Sequence, residues 1–381
     1  MRQFPLKLQT FHSVVVNKSL FRQVYCFLSI AAILLLLSSC QFAPVAPRSI
    51  STGNSEASGQ KKPLKDVKVT LSWLFQGVNA PLAIAIDKGY FAEEGLNVSF
   101  ERGYGSADTI GKIAAGQYDI GFGDLYSMIE FNEKNPEQKL IAVGININKA
   151  PFSIISLKKN GIDSPNQLVG KRLGAPVGDA ARRLWPIFAK QIGLKPNSVT
   201  WTTIEPRLTE AFLLQGRVDA ISSFVYSSLP SLAKGGARPE NLNIFYYSDN
   251  GLNFYGNAVI AQSSFVKENP ETVRAFVKAL IKGTQETLRN PDAGIEAVMK
   301  LNKQPLDEKM ERFRLKILLD NLMVNQEVEK NGLFTVENRR LEETIRQAVE
   351  GFDLKKSPKI SEVFDSSFLP VREERLPPST K

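Results

Sequence analysis

Residues 109–119 read TIGKIAAGQYD, and residues 209–219 read TEAFLLQGRVD. Each begins at a threonine (Thr109, Thr209), reads as a helix, stops at a glycine (Gly116, Gly216) and passes through an aspartate (Asp119, Asp219) into an apolar strand. Those strands are expected at 120–122 and 220–223. Farther upstream, Gly95-Leu96 precedes a strand at 97–101, and Gly193-Leu194 precedes one at 199–204. Gly-x-x-Asp is a common connector from helix to strand, so a single unit of this kind is uninformative. Two in the same order predict paired α/β lobes, a duplicated architecture rather than a short solenoid repeat.

Working outward, residues 67–73 (VKVTLSW) alternate as a strand does, and 80–88 read as a short helix ending at Gly89. A helix at 106–115 follows the strand at 97–101. Strands alternating with helices favour a parallel sheet. The C-terminal third is expected to be helical. Asn269-Pro270-Glu271 supplies a cap, a first-turn proline and an acid, and Val273, Phe276, Val277, Leu280 and Ile281 then form one apolar stripe. Further helices are expected at 292–301, 307–322 and 336–352, their stripes serving as packing faces. Beyond Phe368-Leu369-Pro370 the charged, proline-rich tail 371–381 is expected to be loose.

The N-terminal segment reads as an address. Residues 1–22 carry Arg2, Lys7, Lys18 and Arg22 and no acid, and 24–37 (VYCFLSIAAILLLL) is an apolar run of signal-peptide length. It ends in Leu37-Ser38-Ser39-Cys40, which resembles the bacterial lipoprotein cleavage box. On that reading 1–39 is a signal peptide and Cys40 is the acylated (palmitate-bearing) mature N-terminus, held at the periplasmic side of the cell membrane. The alternative is a short uncleaved anchor helix. Residues 40–65, rich in Pro, Ser, Gly and Lys, hold too little apolar surface to offset their ordering entropy and read as a flexible tether.

The composition narrows the function classes. With 381 residues, 43% hydrophobic and 23% charged, the chain is of ordinary globular composition and long enough for two lobes. Lys plus Arg is 48 against 39 acids, a net +9 that is modest, spread out and partly export chemistry, which argues poorly for nucleic acid. His12 is the one histidine, and Cys26 and Cys40 are the two cysteines. That inventory excludes a disulfide scaffold, a zinc finger and a multi-histidine metal site. Cleavage before Cys40 would remove His12, and with it any Ser-His-Asp or Cys-His group. Residues 105–112 look superficially like a phosphate loop, but the glycine spacing is wrong and Ile113 replaces the required Ser or Thr. Gly121-Phe122-Gly123 lacks the third glycine of a dinucleotide fingerprint. Glu93-Glu94 and Glu342-Glu343 read as solvated helix faces. No reaction, metal or cofactor is nominated.

Binding chemistry is better represented. In parallel α/β sheets ligands sit at the carboxyl ends of strands. That rule selects 73–81, 103–106 and 124–126 in the first lobe, and 176–180, 205–207 and 223–226 in the second. These loops hold Trp73, Phe75, Tyr104, Tyr126, Phe224 and Tyr226 and few cations. Facing rings suit a planar or apolar solute, with Glu205 or Asp179 accepting hydrogen bonds from its amino groups. Each ring has the alternative of filling the core.

At this point KGYFAEEGLNV (88–98) resembles the "KGYFxxEGLxV" segment of periplasmic solute-binding proteins, in the branch that binds nitrate, taurine, alkanesulfonates and thiamine or riboflavin precursors. AGQYDIGFG (115–123) is similar to that branch's "G-x-x-D-hydrophobic-G" segment, and GKRLG (170–174) resembles its entry to the second lobe. The likeness runs from about residue 67 to 352. It implies a two-lobed periplasmic-binding-protein fold (type II), two parallel-sheet lobes joined by two crossover strands near 148–152 and 255–259. Lobe one would be 66–149 plus 256–370, and lobe two 150–255. The lobes would close on a solute, and the closed form would dock on an ABC permease in the inner membrane driven by a separate ATPase.

Carried over by position, the resemblance implies ligand contacts at Trp73, Gln76, Asn79, Tyr104, Ser106, Asp124, Gly178, Asp179, Glu205, Phe224 and Tyr226. The same family includes yeast-type thiamine-pyrimidine synthases, which use pyridoxal phosphate, consume a histidine of their own chain and carry a cysteine-rich iron motif. Here the one histidine lies in the signal segment and no cysteine cluster exists, so a binding protein without cofactor is expected rather than an enzyme. The aromatic loops and Glu205 favour a heteroaromatic cargo such as a thiamine pyrimidine precursor. A sulfonate, taurine or nitrate is the alternative, with an anion cradle at 178–181.

Overall fold

Asp119 and Asp219, the aspartates of the two repeated units, make the same bonds in both halves of the chain. Asp119 Oδ2 accepts the Lys68 N–H at 2.8 Å, and Asp219 Oδ2 accepts the Arg172 N–H at 2.8 Å. Their own N–H groups donate back to Lys68 O (3.0 Å) and Arg172 O (2.8 Å). Each aspartate therefore ties the end of its helix–glycine unit to the neighbouring parallel strand. The preceding Gly116 and Gly216 both turn at φ 69, a left-handed conformation that glycine adopts at no steric cost.

The fold was obtained as a computed structural model in which residues 63–378 are described. The expected signal peptide, Cys40 and the tether up to residue 62 lie outside the described residues, as do 379–381. Among the described residues no helix is long and apolar enough to cross a membrane.

Ten strands form two five-stranded sheets. The first holds β1 (Lys65–Thr70), β2 (Leu96–Glu101), β3 (Ile120–Asp124), β4 (Leu140–Ile145) and β10 (Asn257–Gln262), in the order β2-β1-β3-β10-β4. The second holds β5 (Phe152–Leu157), β6 (Arg172–Ala175), β7 (Thr200–Thr203), β8 (Ala220–Phe224) and β9 (Leu242–Tyr246), in the order β7-β6-β8-β5-β9. The chain passes between the sheets at 146–151 and at 247–256, so the two-lobed α/β fold is present. The sheets are mixed rather than wholly parallel. β10 pairs antiparallel with β3 and β4, and β5 pairs antiparallel with β8 and β9. The reason is topological. The parallel strands end facing the other lobe, and a strand arriving from that lobe must start where they end and run the opposite way.

The helices cover the sheets with apolar stripes. Pro270–Arg289 buries Val273, Phe276, Val277, Leu280 and Ile281, the stripe legible in sequence. Pro291–Leu301, Glu308–Leu318 and Asn338–Gly351 follow. The tail, expected to be loose, is docked over its described residues. Arg375 Nη1 donates to Asn331 O at 2.7 Å and Leu333 O at 3.0 Å, and Gln285 Nε2 donates to Glu374 O and Leu376 O. Charge and proline in the tail had concealed that its partners are main-chain carbonyls, which composition does not reveal.

Both passages between the lobes are held by one side chain. Arg340 donates to Asn148 Oδ1 and Asn148 O, each at 2.8 Å, in the first passage. In the second it donates to Asn253 O at 3.1 Å and Phe254 O at 2.8 Å. Its remaining bond is to Glu327 Oε2 at 2.7 Å, and its guanidinium lies 3.8 Å from the centroid of the Tyr255 ring. All the N–H donors of a guanidinium are thus used in one buried site. Replacing Arg340 by Met strands Glu327 and several carbonyls and is expected to cost about 3 kcal/mol in chemical unfolding of the full chain. Arg340→Lys should recover little of it, because an ammonium cannot span both passages.

Candidate functional site

Each parallel strand delivers its C-terminal loop to the cleft between the lobes. Trp73, Gln76 and Asn79 follow β1, Tyr104 to Ser106 follow β2, and Asp124 ends β3. From the other side Pro176 to Asp179 follow β6, Glu205 follows β7, and Phe224 to Ser227 stand at the end of β8 and the first turn of the helix Val225–Lys234. The lobes are in contact. A Cβ on Gly105, which turns at φ +116, would lie 1.9 Å from the carbonyl oxygen of Gly178, so only glycine lets the two backbones approach. Ser227 Oγ donates to Gln76 Oε1 across the cleft at 3.0 Å, and Arg183 pairs with Glu130, which also holds Lys134 at 2.6 Å.

Three spaces adjoin Trp73. A chamber of 390 Å³ including open solvent, polar in its residues though mainly apolar in the atoms at its surface and here called the polar chamber, is lined by Ser72, Trp73, Gly105 and Ser106 from the first lobe. The second lobe supplies Asp179, Thr209, Glu210, Ser222, Phe224 and Ser227, among others, and no cation. A second chamber, of 580 Å³ including open solvent and with a mixed polar and apolar wall, lies toward the first lobe, with Trp73, Gln76, Asn79, Asn146, Tyr226 and Asn257 among its lining. The third, of 1810 Å³ including open solvent, leads outward past Phe75, Phe100, Arg102, Arg207, Met310 and Arg314.

The residues picked from sequence divide accordingly. Trp73 lines all three spaces. Ser106, Asp179 and Phe224 line the polar chamber, Gln76 the second chamber and the outer space, and Asn79 and Tyr226 the second chamber. Gly178 forms the backbone contact with Gly105. Asp124 is fully buried but faces inward, capping the helix Leu125–Lys134 through Ser127 N at 2.8 Å. Tyr104 is 47% exposed, its ring covered by Arg102 at 4.0 Å, and it lines none of the three spaces. Glu205 is exposed and caps its own turn through Arg207 N at 2.8 Å, so it is not placed to meet a solute in these spaces. A glutamate ahead of Pro206 is a capping residue before it is a ligand.

Beside Asp179, a second acid reaches the polar chamber, Glu210. Its Oε1 accepts from Ser228 Oγ at 2.5 Å, and Ser228 in turn bonds Ser223. Asp179 Oδ1 accepts from Ser222 Oγ at 2.6 Å and from Arg182 N at 2.7 Å. Burial pushes the carboxyl groups of Glu210, Asp179 and Asp124 above the usual range, and their serine and main-chain donors act against that. Thr209 Oγ1 is buried without a protein partner, whereas Thr109 Oγ1 at the matching repeat position donates to Leu71 O at 2.8 Å. For Glu210 the sequence did carry a signal. Glu210 occupies the repeat position of Ile110, a core residue, and an acid where a repeat places an apolar side chain marks departure from packing. Ser222 and Ser227, also missed, carried no such signal.

Hydroxyls, the buried Asp179 carboxyl, the half-buried Glu210 carboxyl and an indole face around one space can bind amino and ring N–H donors on a flat solute. Among the described residues no cluster of His, Cys, Asp or Glu is suited to a metal ion.

Comparison with known proteins gives four findings. The family model "NMT1/THI5 like" matches residues 76–294. The formylaminopyrimidine-binding protein of Halalkalibacterium halodurans is 24% identical over 340 residues, 88% of this chain and 96% of that protein. The 4-amino-5-hydroxymethyl-2-methylpyrimidine phosphate synthase of Legionella pneumophila is 22% identical over 308 residues, 80% and 92% of the two chains. Among solved structures, the alkanesulfonate-binding protein SsuA from Xanthomonas axonopodis pv. citri, bound to MOPS, superposes with a TM-score of 0.61. Its identity is 14%, and the match covers 80% of this chain and 99% of that one.

The raised carboxyl of Glu210 has a consequence for stability. The folded chain holds that proton more tightly than the unfolded chain does, so the group favours folding at low pH and this contribution is lost as pH rises through its folded range. Glu210→Gln keeps an oxygen for Ser228 and removes the titration. It is expected to raise the thermal midpoint by about 2 °C at pH 7 and by less at pH 5.

Proposed function

The chain belongs to the NMT1/THI5-like family, and we propose that it is the solute-binding subunit of an ABC importer that captures a small amino-substituted heteroaromatic, such as a thiamine pyrimidine precursor. The observation that carries this reading is the polar chamber, where Trp73 of one lobe meets Asp179 and Glu210 of the other with no cation in the wall. An aromatic face with buried acceptors selects a flat solute bearing N–H groups and disfavours a free anion. The formylaminopyrimidine-binding relative supports the same cargo class. In this reading Cys40 carries the lipid anchor, residues 40–65 are the tether, and the closed lobes deliver cargo to a membrane permease served by a separate ATPase. Trp73, Gln76, Asn79, Ser106, Asp179, Phe224 and Tyr226 are the contacts retained from the sequence, and Glu210 is added to them.

A second reading, capture of a sulfonate or nitrate, has one observation in its favour. Arg102 and Arg207, one from each lobe, line the outer space, and Arg102 Nη2 is buried without a partner. The synthase relatives raise the enzymatic alternative, but no histidine or cysteine lies among the described residues.

Thermal unfolding of the full chain separates these readings. A solute at about a hundred times its dissociation constant adds roughly 2.7 kcal/mol and moves the midpoint by several degrees. A shift with aminopyrimidines that falls at least tenfold in apparent affinity in Trp73→Ala is the expected result. A shift with alkanesulfonate or nitrate alone would replace the cargo, and one with pyridoxal phosphate alone would return the synthase reading.

A further inference from the structure

Pro230 lies inside the helix Val225–Lys234, whose first turn carries Tyr226 and Ser227 at the cleft. Proline has no N–H, so the carbonyl of Tyr226, four residues earlier, loses its helical partner. That carbonyl is taken by a side chain from far along the sequence. Arg314 Nη1 lies 3.3 Å from Tyr226 O and also bonds Ser227 O, and its Nη2 lies 2.8 Å from Ser231 Oγ. Arg314 Nε faces Glu311 Oε1 at 3.3 Å, and Glu311 Oε2 accepts the Gly77 N–H at 2.6 Å. Gly77 belongs to the first lobe, in the turn that places Gln76 and Asn79. A Cβ on Gly77 would meet the Glu311 carbonyl oxygen at 2.2 Å, so the approach of the helix Glu308–Leu318 to this turn needs a glycine.

Glu311 and Arg314 are 1% and 2% exposed. A charge pair so buried is stable only while all its partners are in place, because removing one leaves the other charge desolvated. The partners here belong to both lobes: Gly77 on one side, Tyr226, Ser227 and Ser231 on the other. We propose that Glu311 and Arg314 form a latch that joins the two lobes through the helix Glu308–Leu318 and positions Gln76 and Ser227 against each other in the closed cleft. The Arg340 site holds the two chain passages, whereas this pair holds the cleft-facing turns. The consequence, slower release of a captured solute, rests on the reading of the cleft as a solute site. The latch itself is read without solute.

The test is hydrogen–deuterium exchange of the full chain, followed at Gly77 and at β3 and β8. Arg314→Gln is expected to speed exchange at Gly77 about tenfold while β3 and β8 keep their protection. Small-angle scattering should show a larger radius of gyration. Gly77→Ala, which leaves the ion pair chemically intact and pushes the helix away, should do the same at residue 77. Pro230→Ala returns a helical partner to Tyr226 O, so Arg314→Gln should cost less in that background. Arg314→Lys should restore part of the protection. Unchanged exchange at residue 77 in both Arg314→Gln and Gly77→Ala overturns the latch. So does a uniform loss across β3 and β8, which would make the pair a general core element. Failure of every solute to bind would sink the proposed cargo capture and leave the exchange result standing.

Discussion

The guanidinium of Arg340 is the constraint on which the rest of the molecule turns. The chain crosses between the two sheets at 146–151 and 247–256, and Arg340 bonds main-chain carbonyls in both crossings. A passage without regular structure leaves carbonyls unpaired, and a buried carbonyl needs a donor. Supplying those donors from one rigid fork, anchored in turn by Glu327 and stacked on Tyr255, fixes the crossings relative to each other.

The cleft so positioned is electrostatically unusual for a chain with excess positive charge. Its polar chamber has carboxyls and hydroxyls and no basic side chain in the wall, while Arg102, Arg207 and Arg314 line the outer space. Desolvation favours the protonated form of each acid, and the serine and main-chain donors offset it without removing it. On the proposed reading, a solute whose N–H groups bond the carboxyls satisfies these acceptors without importing a second charge.

The C-terminal helices are a third structural layer as well as a cover for the first lobe. Glu308–Leu318 bonds into the helix Val225–Lys234 of the second lobe and into the Gly77 turn of the first, and Lys190 of the second lobe reaches Asp353 at 2.9 Å. Pro230 explains why the contact sits where it does. The proline frees a carbonyl close to the cleft, and a distant arginine finds it. The two lobes are therefore bridged by residues that lie far in sequence from either lobe's cleft loops.

What the chain's own sequence determined was everything periodic or locally punctuated. The Gly116–Asp119 and Gly216–Asp219 units specified two equivalent α/β halves because a left-handed glycine followed by an aspartate that bonds the next strand is a local requirement, visible in neighbouring residues. The loop positions of Trp73, Ser106, Asp179 and Phe224 followed from the rule for strand ends. Tertiary structure alone decided the rest. The reversal of β5 and β10 depends on which lobe each strand arrives from. Glu205 and Asp124 were spent on capping, a role that depends on orientation and not on residue type. Glu210, Glu311, Arg314 and Arg340 take their meaning from partners far away in the chain, and a buried charge is defined by what surrounds it, which no local pattern of residues records.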